Sequence, residues 1–138
     1  MFSNATKYAI RTVLFIADKK DEEKKSKVSD IAKELAIPKP FLSKILQKLA
    51  KANLVSSSKG RGGGFYMTEE NLQKTLLDII LCIDGSNVLN ECILGQPTCS
   101  DDNPCPLHKY YIDIKRDLET VISKASVGNL AIDLKQTV

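Results

Sequence analysis

Apolar residues recur along most of the chain at intervals of three and four, the spacing that brings side chains onto one face of an α-helix. This pattern predicts helices near residues 4–18, 30–36, 41–52, 76–83, 109–125 and 130–134. Between the third and fourth helices, residues 54–58 and 65–67 have the short, apolar character of strands. The six residues that separate these strands include four glycines, so we expect an antiparallel hairpin with a mobile tip.

Local signals predict where these elements begin and end. The predicted N-caps are Ser3 or Asn4, Ser29 and Thr75. Residues 19–27 are almost all charged, and we expect a solvated linker with no core residue. Residues 68–70 are expected to begin a loop, and Ser126 and Gly128 are expected to separate the last two helices.

The third helix and the hairpin are both basic. Pro38 and Pro40 prevent the second helix from continuing into the third, so a turn separates the two helices. The basic residues are Lys44, Lys48 and Lys51 on one side of the helix and Lys59 and Arg61 in the hairpin tip. A lysine stripe alone is usually only a solvated surface. Its combination with a preceding turn and a basic hairpin is typical of a winged helix-turn-helix that binds double-stranded DNA.

Composition and charge exclude several other functions. The glycine run lacks the GxxxxGK[ST] pattern of a nucleotide-binding loop, and the chain has one histidine and no evident catalytic constellation, so we do not expect an enzyme. No apolar run approaches the roughly 20 residues of a membrane span, and the N-terminus has no signal-peptide pattern, so we expect a cytoplasmic protein.

Charge is distributed unevenly along the chain. Residues 1–67 carry fourteen Lys/Arg and six Asp/Glu, a net +8, whereas residues 68–138 carry six and eleven, a net −5. This asymmetry predicts a DNA-binding domain over residues 1–74 and a sensor and dimerisation region over residues 75–138. The helix near residues 109–125 is too long and too one-sided for so small a domain, so we expect it to form a homodimer, with the first helix bracing the contact.

Three of the four cysteines lie in a proline-containing loop with the spacing C-x6-C-x5-C-x2-H. The four residues are Cys92, Cys99, Cys105 and His108. A Cys3His set is a good tetrahedral zinc site, and a pair of redox-active thiols is also compatible with the pattern. A permanent disulfide is not expected in a reducing compartment. The fourth cysteine, Cys82, is expected to be a small core residue of the fourth helix.

The chain resembles the IscR/NsrR/CymR-type transcriptional regulators over nearly its whole length. The segments that carry the resemblance are TKYAIRTVLFIA, DIAKELAIPKPFLSKILQKLAKANLV, KGRGGGFY, TLLDII and the three-cysteine loop. The resemblance implies a mainly α-helical dimeric winged-helix repressor or activator, with a small β-hairpin wing. Members of this family sense iron–sulfur status, nitric oxide, iron or cysteine supply.

The resemblance also implies which residues contact DNA. On the recognition helix and in the wing they are Lys39, Pro40, Ser43, Lys44, Lys48, Lys59, Gly60 and Arg61. At the positions of Ser43 and Lys44 the iron–sulfur-assembly regulator has Glu and Gln, and Lys59 stands where it has an arginine. These departures imply a different operator sequence with the same mode of binding.

For the cysteine loop, the resemblance implies an iron–sulfur cluster, 2Fe–2S or 4Fe–4S, held by the three cysteines with His108 as fourth ligand. Thiolates are the ligands that such clusters require, although the first gap is one residue longer than in the cluster-assembly regulator. The leading hypothesis is therefore a homodimer that binds a pseudo-palindromic operator with an affinity set by the cluster. Zinc or redox thiols in the same fold, a cofactor-free DNA-binding module, and a cluster-carrying redox protein remain the alternatives.

Overall fold

The computed structural model describes residues 2–19 and 25–137, and it confirms the predicted fold class of helices with a small β-hairpin. The helices are α1 (Asn4–Asp18), α2 (Val28–Leu35), α3 (Lys39–Lys51), α4 (Glu69–Leu72), α5 (Leu76–Asp84), α6 (Asn87–Asn90), α7 (His108–Lys124) and α8 (Val127–Thr137). The hairpin strands are β1 (Ser56–Ser58) and β2 (Gly64–Tyr66), paired antiparallel.

Helix α1 lies at the centre of the core. It packs against α2, α3, α5 and α8, and its most apolar side is fully buried. The same core cluster takes in Leu42 and Leu46 from α3, Ile79 from α5, and Val127 and Ala131 from α8. The core thus includes residues from both sides of position 74, and the predicted division of the chain at that position stays a prediction.

The predicted linker over residues 19–27 is wrong at Ser26. This residue is 6% exposed, and its N–H and C=O both pair with Phe65 of β2 at 2.8 Å. Residues 20–24 lie outside the described part of the chain. This pairing uses only backbone groups, so it could not be predicted from the polar side chains of the segment.

Two of the three predicted N-caps are confirmed and one is wrong. Ser3 caps α1 by accepting a hydrogen bond from Thr6 N at 3.1 Å, as expected. Thr75 caps α5, where it forms a reciprocal capping box with Asp78. Ser29 is not a cap, because α2 already begins at Val28. The backbone pairing of Ser26 with Phe65 keeps the chain extended only as far as Lys27.

Two short helices and one glycine depart from the prediction. Residues 69–72 form α4 rather than a loop, because Thr68 and Asn71 make a second capping box. Helix α6 was not predicted. Gly128 does not separate two helices but lies inside α8. An added Cβ at this position would stand 3.3 Å from the carbonyl oxygen of Leu72. Close packing of α8 on α4 is therefore the reason for this glycine.

Candidate nucleic-acid interface and cysteine site

Helix α3 presents its basic side to solvent because its opposite side is anchored in the core. Leu42, Ile45, Leu46 and Leu49 are buried, at 0–4% exposure. The residues predicted to contact DNA from this helix are Lys39, Pro40, Lys44 and Lys48, which are exposed, and Ser43, which is half-buried. The apolar spacing along this helix also predicts that Phe41 belongs to its buried face, but Phe41 is 38% exposed and meets the Tyr8 ring edge-on, with the ring centroids 5.7 Å apart.

The wing projects two exposed cations, Lys59 and Arg61, from a tight glycine turn. The base of the turn leaves no room for a side chain, since a Cβ on Gly63 would stand 2.4 Å from the carbonyl oxygen of Ser58. One cation near the hairpin was missed by the sequence analysis. Lys25 donates to Ser58 Oγ at 3.1 Å and lies 5.6 Å from the centre of the Tyr66 ring.

A buried amide joins the wing to the end of α3. The side chain of Asn71 is 3% exposed; its Oδ1 accepts from Ser56 Oγ at 2.8 Å and from Thr68 N at 2.9 Å. Its Nδ2 donates to the carbonyl oxygen of Asn53 at 2.7 Å. The sequence analysis missed this residue, although the Thr-x-x-Asn spacing of a capping box was visible.

The three cysteines of the loop converge. Their sulfur atoms all lie within 4.8 Å of one another, and Cys92 and Cys105 are 3.5 Å apart. His108, the first residue of α7, brings its Nδ1 to 3.4 Å from Cys99 Sγ. All four cysteines of the chain have free thiols. The residues that the sequence singled out as candidate ligands are therefore neighbours in space.

Backbone amides of the loop direct the sulfur atoms inward. Leu94 N donates to Cys92 Sγ and Cys105 N donates to Cys99 Sγ, both at 3.4 Å. Cys105 is 5% exposed, whereas the other two loop cysteines are half-buried. Amide donors and the nearby start of α7 favour negatively charged sulfur, the form in which cysteine binds metals.

The environment moves the pKa values of two thiols in opposite directions. Partial burial raises the pKa of Cys92, but backbone hydrogen bonds from Gln96 and Leu94, together with thiol contacts, outweigh it and lower this pKa to about 7. The backbone hydrogen bond from Cys105 lowers the pKa of Cys99, but burial and the neighbouring thiols outweigh it and raise the value. The thiols of Cys92 and Cys99 therefore do not lose their protons together.

Asp101 holds the imidazole of His108 in place. Its Oδ1 lies 2.9 Å from His108 Nε2, and this hydrogen bond lowers the pKa of the Asp101 carboxyl group. A carboxylate can only accept, so in the neutral imidazole Nε2 carries the proton and Nδ1 has its lone pair towards Cys99. From the sequence, Asp101 and Asp102 are simply a solvated acidic turn. The side chain of Asp101 is indeed 78% exposed, but it also orients the candidate fourth ligand.

The donor set fits a metal ion or a small cluster. A tetrahedral zinc ion with ordinary bond lengths separates two thiolate sulfurs by about 3.8 Å, close to the spacing of the loop cysteines. In an iron–sulfur cluster no more than two protein ligands would share one iron atom, so at least one of the three sulfur atoms would have to move away from the other two. A surface cavity of about 300 Å³, lined by all four candidate ligands, adjoins the site.

Cys82 takes no part in this site. It packs against the hydrophobic core, and its Sγ lies 3.5 Å from the carbonyl oxygen of Lys48. Burial raises the pKa of its thiol despite the nearby lysine charge. Its position agrees with the predicted role of a small core residue.

The outer side of α7 is apolar and exposed. Tyr110, Ile114 and Val121 are 67%, 60% and 62% exposed, and they recur along one side of the helix. Ile122, on the adjoining side, is buried. The predicted dimerisation helix thus leaves an apolar stripe uncovered in the single chain. None of the described helices is long and apolar enough to cross a membrane.

Comparisons with known proteins agree with one another. The family model Rrf2, described as an iron-dependent transcriptional regulator, matches residues 2–133. The regulator NsrR of Geobacillus kaustophilus is 33% identical over 112 residues, 70% of each chain, and IscR of Vibrio cholerae is 24% identical over 92% of this chain and 72% of its own. The structure of CymR, the global cysteine regulator of B. subtilis, superimposes with a TM-score of 0.76 at 21% identity, covering 95% of both chains.

Proposed function

The chain belongs to the Rrf2 family of transcriptional regulators, and on that premise we propose that it acts as a cytoplasmic homodimer whose operator affinity is set by an iron–sulfur cluster. Like its relatives, it is a DNA-binding transcriptional regulator and not an enzyme. The cluster would be held by Cys92, Cys99, Cys105 and His108. The observation that carries this proposal is the convergence of three sulfur atoms within 4.8 Å beside the His108 imidazole.

The DNA contacts are assigned to the basic side of α3 and to the wing. Lys39, Lys44 and Lys48 are exposed on a helix whose other side is fixed in the core, which suits insertion into a major groove. Lys59 and Arg61 stand at the exposed tip and suit phosphates or a minor groove. Two linked subunits would place two such surfaces on a pseudo-palindromic operator.

The dimer is assigned to α7. Its apolar stripe is exposed in the single chain, and an apolar stripe along a helix is the usual seam between two packed helices. Burial of Ile114 and Val121 against a second copy would remove this exposed surface from water. The cysteine loop leads directly into α7, so its conformation can affect how the two DNA-binding surfaces are spaced.

With a cluster bound, bonds from iron to the thiolates and the imidazole would join distant points of the loop to the start of α7. The chain's own contribution is to direct three sulfur atoms and one nitrogen towards a common point. Loss of these bonds would leave the loop held only by hydrogen bonds such as those to Cys92 and Cys99. We propose that this order–disorder change alters operator affinity.

A second candidate ligand is a single zinc ion. The 3.5 Å separation of Cys92 and Cys105 and the 3.4 Å contact of His108 with Cys99 are close to the spacings around one tetrahedral ion. The same short sulfur separation is compatible with a thiol pair that forms a disulfide on oxidation. Both alternatives keep the DNA-binding function and change only the signal.

Metal analysis combined with DNA binding tests the proposal. The protein is purified anaerobically from iron-replete cells, and iron, sulfide and zinc are measured per chain. Affinity for a duplex selected by the protein from a random-sequence library is then compared before and after removal of the bound metal. We expect iron and sulfide in equal amounts and a change in affinity on removal. Zinc without iron or sulfide would identify a single zinc ion as the ligand in place of the cluster. An unchanged DNA affinity after metal removal would leave the proposed ligands in place but contradict their control of operator affinity.

A further inference from the structure

We propose that Asn71 is a positioning residue that fixes the angle between the wing and the recognition helix α3. This inference rests on the proposed function in one respect, namely that the wing tip contacts DNA. Asn71 itself is buried and touches no nucleic acid in such an arrangement. Its effect on DNA binding would be exerted entirely through Lys59 and Arg61 at the tip.

The contacts of Asn71 join three elements: the end of α3, the start of β1 and the N-terminus of α4. Its Nδ2 donates to the carbonyl oxygen of Asn53, the residue at which the chain leaves α3 in a left-handed conformation with φ of 59°. Its Oδ1 accepts from Ser56 Oγ in the first residue of β1. The same oxygen accepts from Thr68, which caps α4 after the wing.

The amide is the side chain suited to these contacts. It offers an acceptor to Ser56 and Thr68 and a donor to Asn53 on one short, planar group. An aspartate would keep the acceptor and lose the donor, and an alanine would lose both. With 3% exposure, water has little access to replace what is lost.

The wing needs such support because it is small. Its strands have three residues each, and an isolated two-stranded hairpin is marginal in water. One side of its base is held by the backbone pairing of Ser26 with Phe65. Asn71 holds the other side, at the point where β1 begins. Removal of this second attachment would let the hairpin pivot about the first.

The experiment is a double-mutant cycle on DNA affinity, with a duplex selected by the wild-type protein from a random-sequence library. The variants are Asn71→Ala, the wing-tip pair Lys59→Ala with Arg61→Ala, and the triple combination. Thr75→Ala is the matched control, because it also removes a capping-box hydrogen bond but lies at the start of α5, away from the wing. Ser56→Ala, which removes only the hydrogen bond that Asn71 Oδ1 accepts from this hydroxyl, is a milder variant in case Asn71→Ala folds poorly.

If Asn71 acts through the wing, its loss and the loss of the tip cations are not independent. We expect Asn71→Ala to weaken binding about tenfold and to reduce the salt slope by up to about 2, as the wing-tip pair does when two phosphate contacts are lost. The triple variant should then bind no more weakly than the wing-tip pair. Ser56→Ala should fall between wild type and Asn71→Ala, and Thr75→Ala should keep the full salt slope.

A second readout needs no DNA. Amide hydrogen exchange in the wing, residues 56–66, should become faster in Asn71→Ala while exchange in α1 and α3 stays unchanged, and Thr75→Ala should leave the wing at its wild-type rate. Multiplicative losses in the triple variant, or unchanged wing exchange, would overturn the role of Asn71. Wild-type affinity in the wing-tip pair would instead remove the wing from the proposed DNA contact, and the positioning role with it.

Discussion

The proposed DNA-binding surface and the cysteine site are built in different ways. The basic side of α3 is held by buried leucines and isoleucine on the opposite side of the same helix, in a core shared with α1. The cysteine site is held by loop amides and by its own donor atoms, and Ile93 and Leu94 beside it are 51% and 52% exposed. The first surface is complete without a ligand. In the second, a bound cluster or metal ion would join three sulfur atoms and one imidazole nitrogen, as proposed above.

The polar groups show the same difference. Asn71, which supports the wing, is buried and hydrogen-bonded to three other residues. Asp101, which supports His108, is 78% exposed and has its contact on the outside of the loop. A buried contact keeps its geometry because little else can replace it, whereas water competes for an exposed one. A sensor that must change state is suited to the second kind.

Removal of a thiolate is the sharpest test of this separation. Cys92→Ala, Cys99→Ala or Cys105→Ala should each abolish the visible absorption of anaerobically purified protein, because a thiolate ligand is lost in every case. The thermal unfolding of the metal-free protein should stay close to that of metal-free wild type. Cys82→Ala is the matched control and should keep the absorption. Global unfolding of the three loop variants would show that the two regions are not separate.

Core and loop leucines should differ in their contribution to stability. Leu46 is fully buried in α3, so Leu46→Ala should lower the free energy of unfolding by about 2–5 kcal/mol. Leu94, with half of its surface exposed in the loop, should change it by about 0.5 kcal/mol or less on substitution by alanine. Chemical denaturation of the metal-free protein measures both values. Similar losses in the two variants would contradict the contrast.

An apolar stripe that is covered by a second subunit should not tolerate charge. Ile114→Asp would place an unpaired carboxylate in the proposed dimer contact, at a cost of several kcal/mol. We expect a monomer at micromolar concentration by analytical ultracentrifugation and weaker binding to the full operator. Ile114→Leu, which keeps the apolar surface, should remain dimeric. A dimeric Ile114→Asp protein would move the subunit contact away from this side of α7.

The smallest effect is expected at Asp101. Asp101→Ala removes the hydrogen bond that orients His108 and should lower zinc affinity of the metal-free protein by about 10- to 100-fold. The chain has a single histidine, so its ring nitrogens can be assigned without ambiguity by nitrogen-15 NMR of the zinc-bound protein. Asp102→Ala, next in the chain, is the control. Equal zinc affinity in the two variants would show that the hydrogen bond from His108 to Asp101 does not contribute to metal binding.

The sequence predicted the elements that depend on side-chain periodicity. The bounds of α1 followed from apolar spacing, those of α3 followed to within two residues, and the glycine run predicted the position of the wing. The backbone pairing of Ser26 could not be predicted in this way, since no side chain takes part in it. Helix α4 was missed because it is four residues long and its capping box uses Asn71 in place of the usual Glu or Gln.

For the cysteine site, residue type and spacing predicted the four neighbouring donors but not their arrangement. The choice of Nδ1 over Nε2 in His108 depends on where the turn at residues 100–103 places Asp101. The distances between sulfur atoms likewise result from the three-dimensional path of the loop. Cys82 was separated correctly from the other three, because its neighbours in sequence are apolar and helical.

The packing of α1 against α8 has a consequence for the newly made chain. A ribosome delivers α1 long before α8, yet Ala9 and Val13 of α1 share one buried cluster with Val127 and Ala131 of α8. The first helix therefore emerges with an apolar surface whose cover is synthesised more than a hundred residues later. Contacts between distant parts of a chain form slowly, and surface exposed in the meantime is prone to aggregate. Loss of the residues from Val127 onwards would leave α1 in that vulnerable state permanently, even though every predicted DNA contact would still be present.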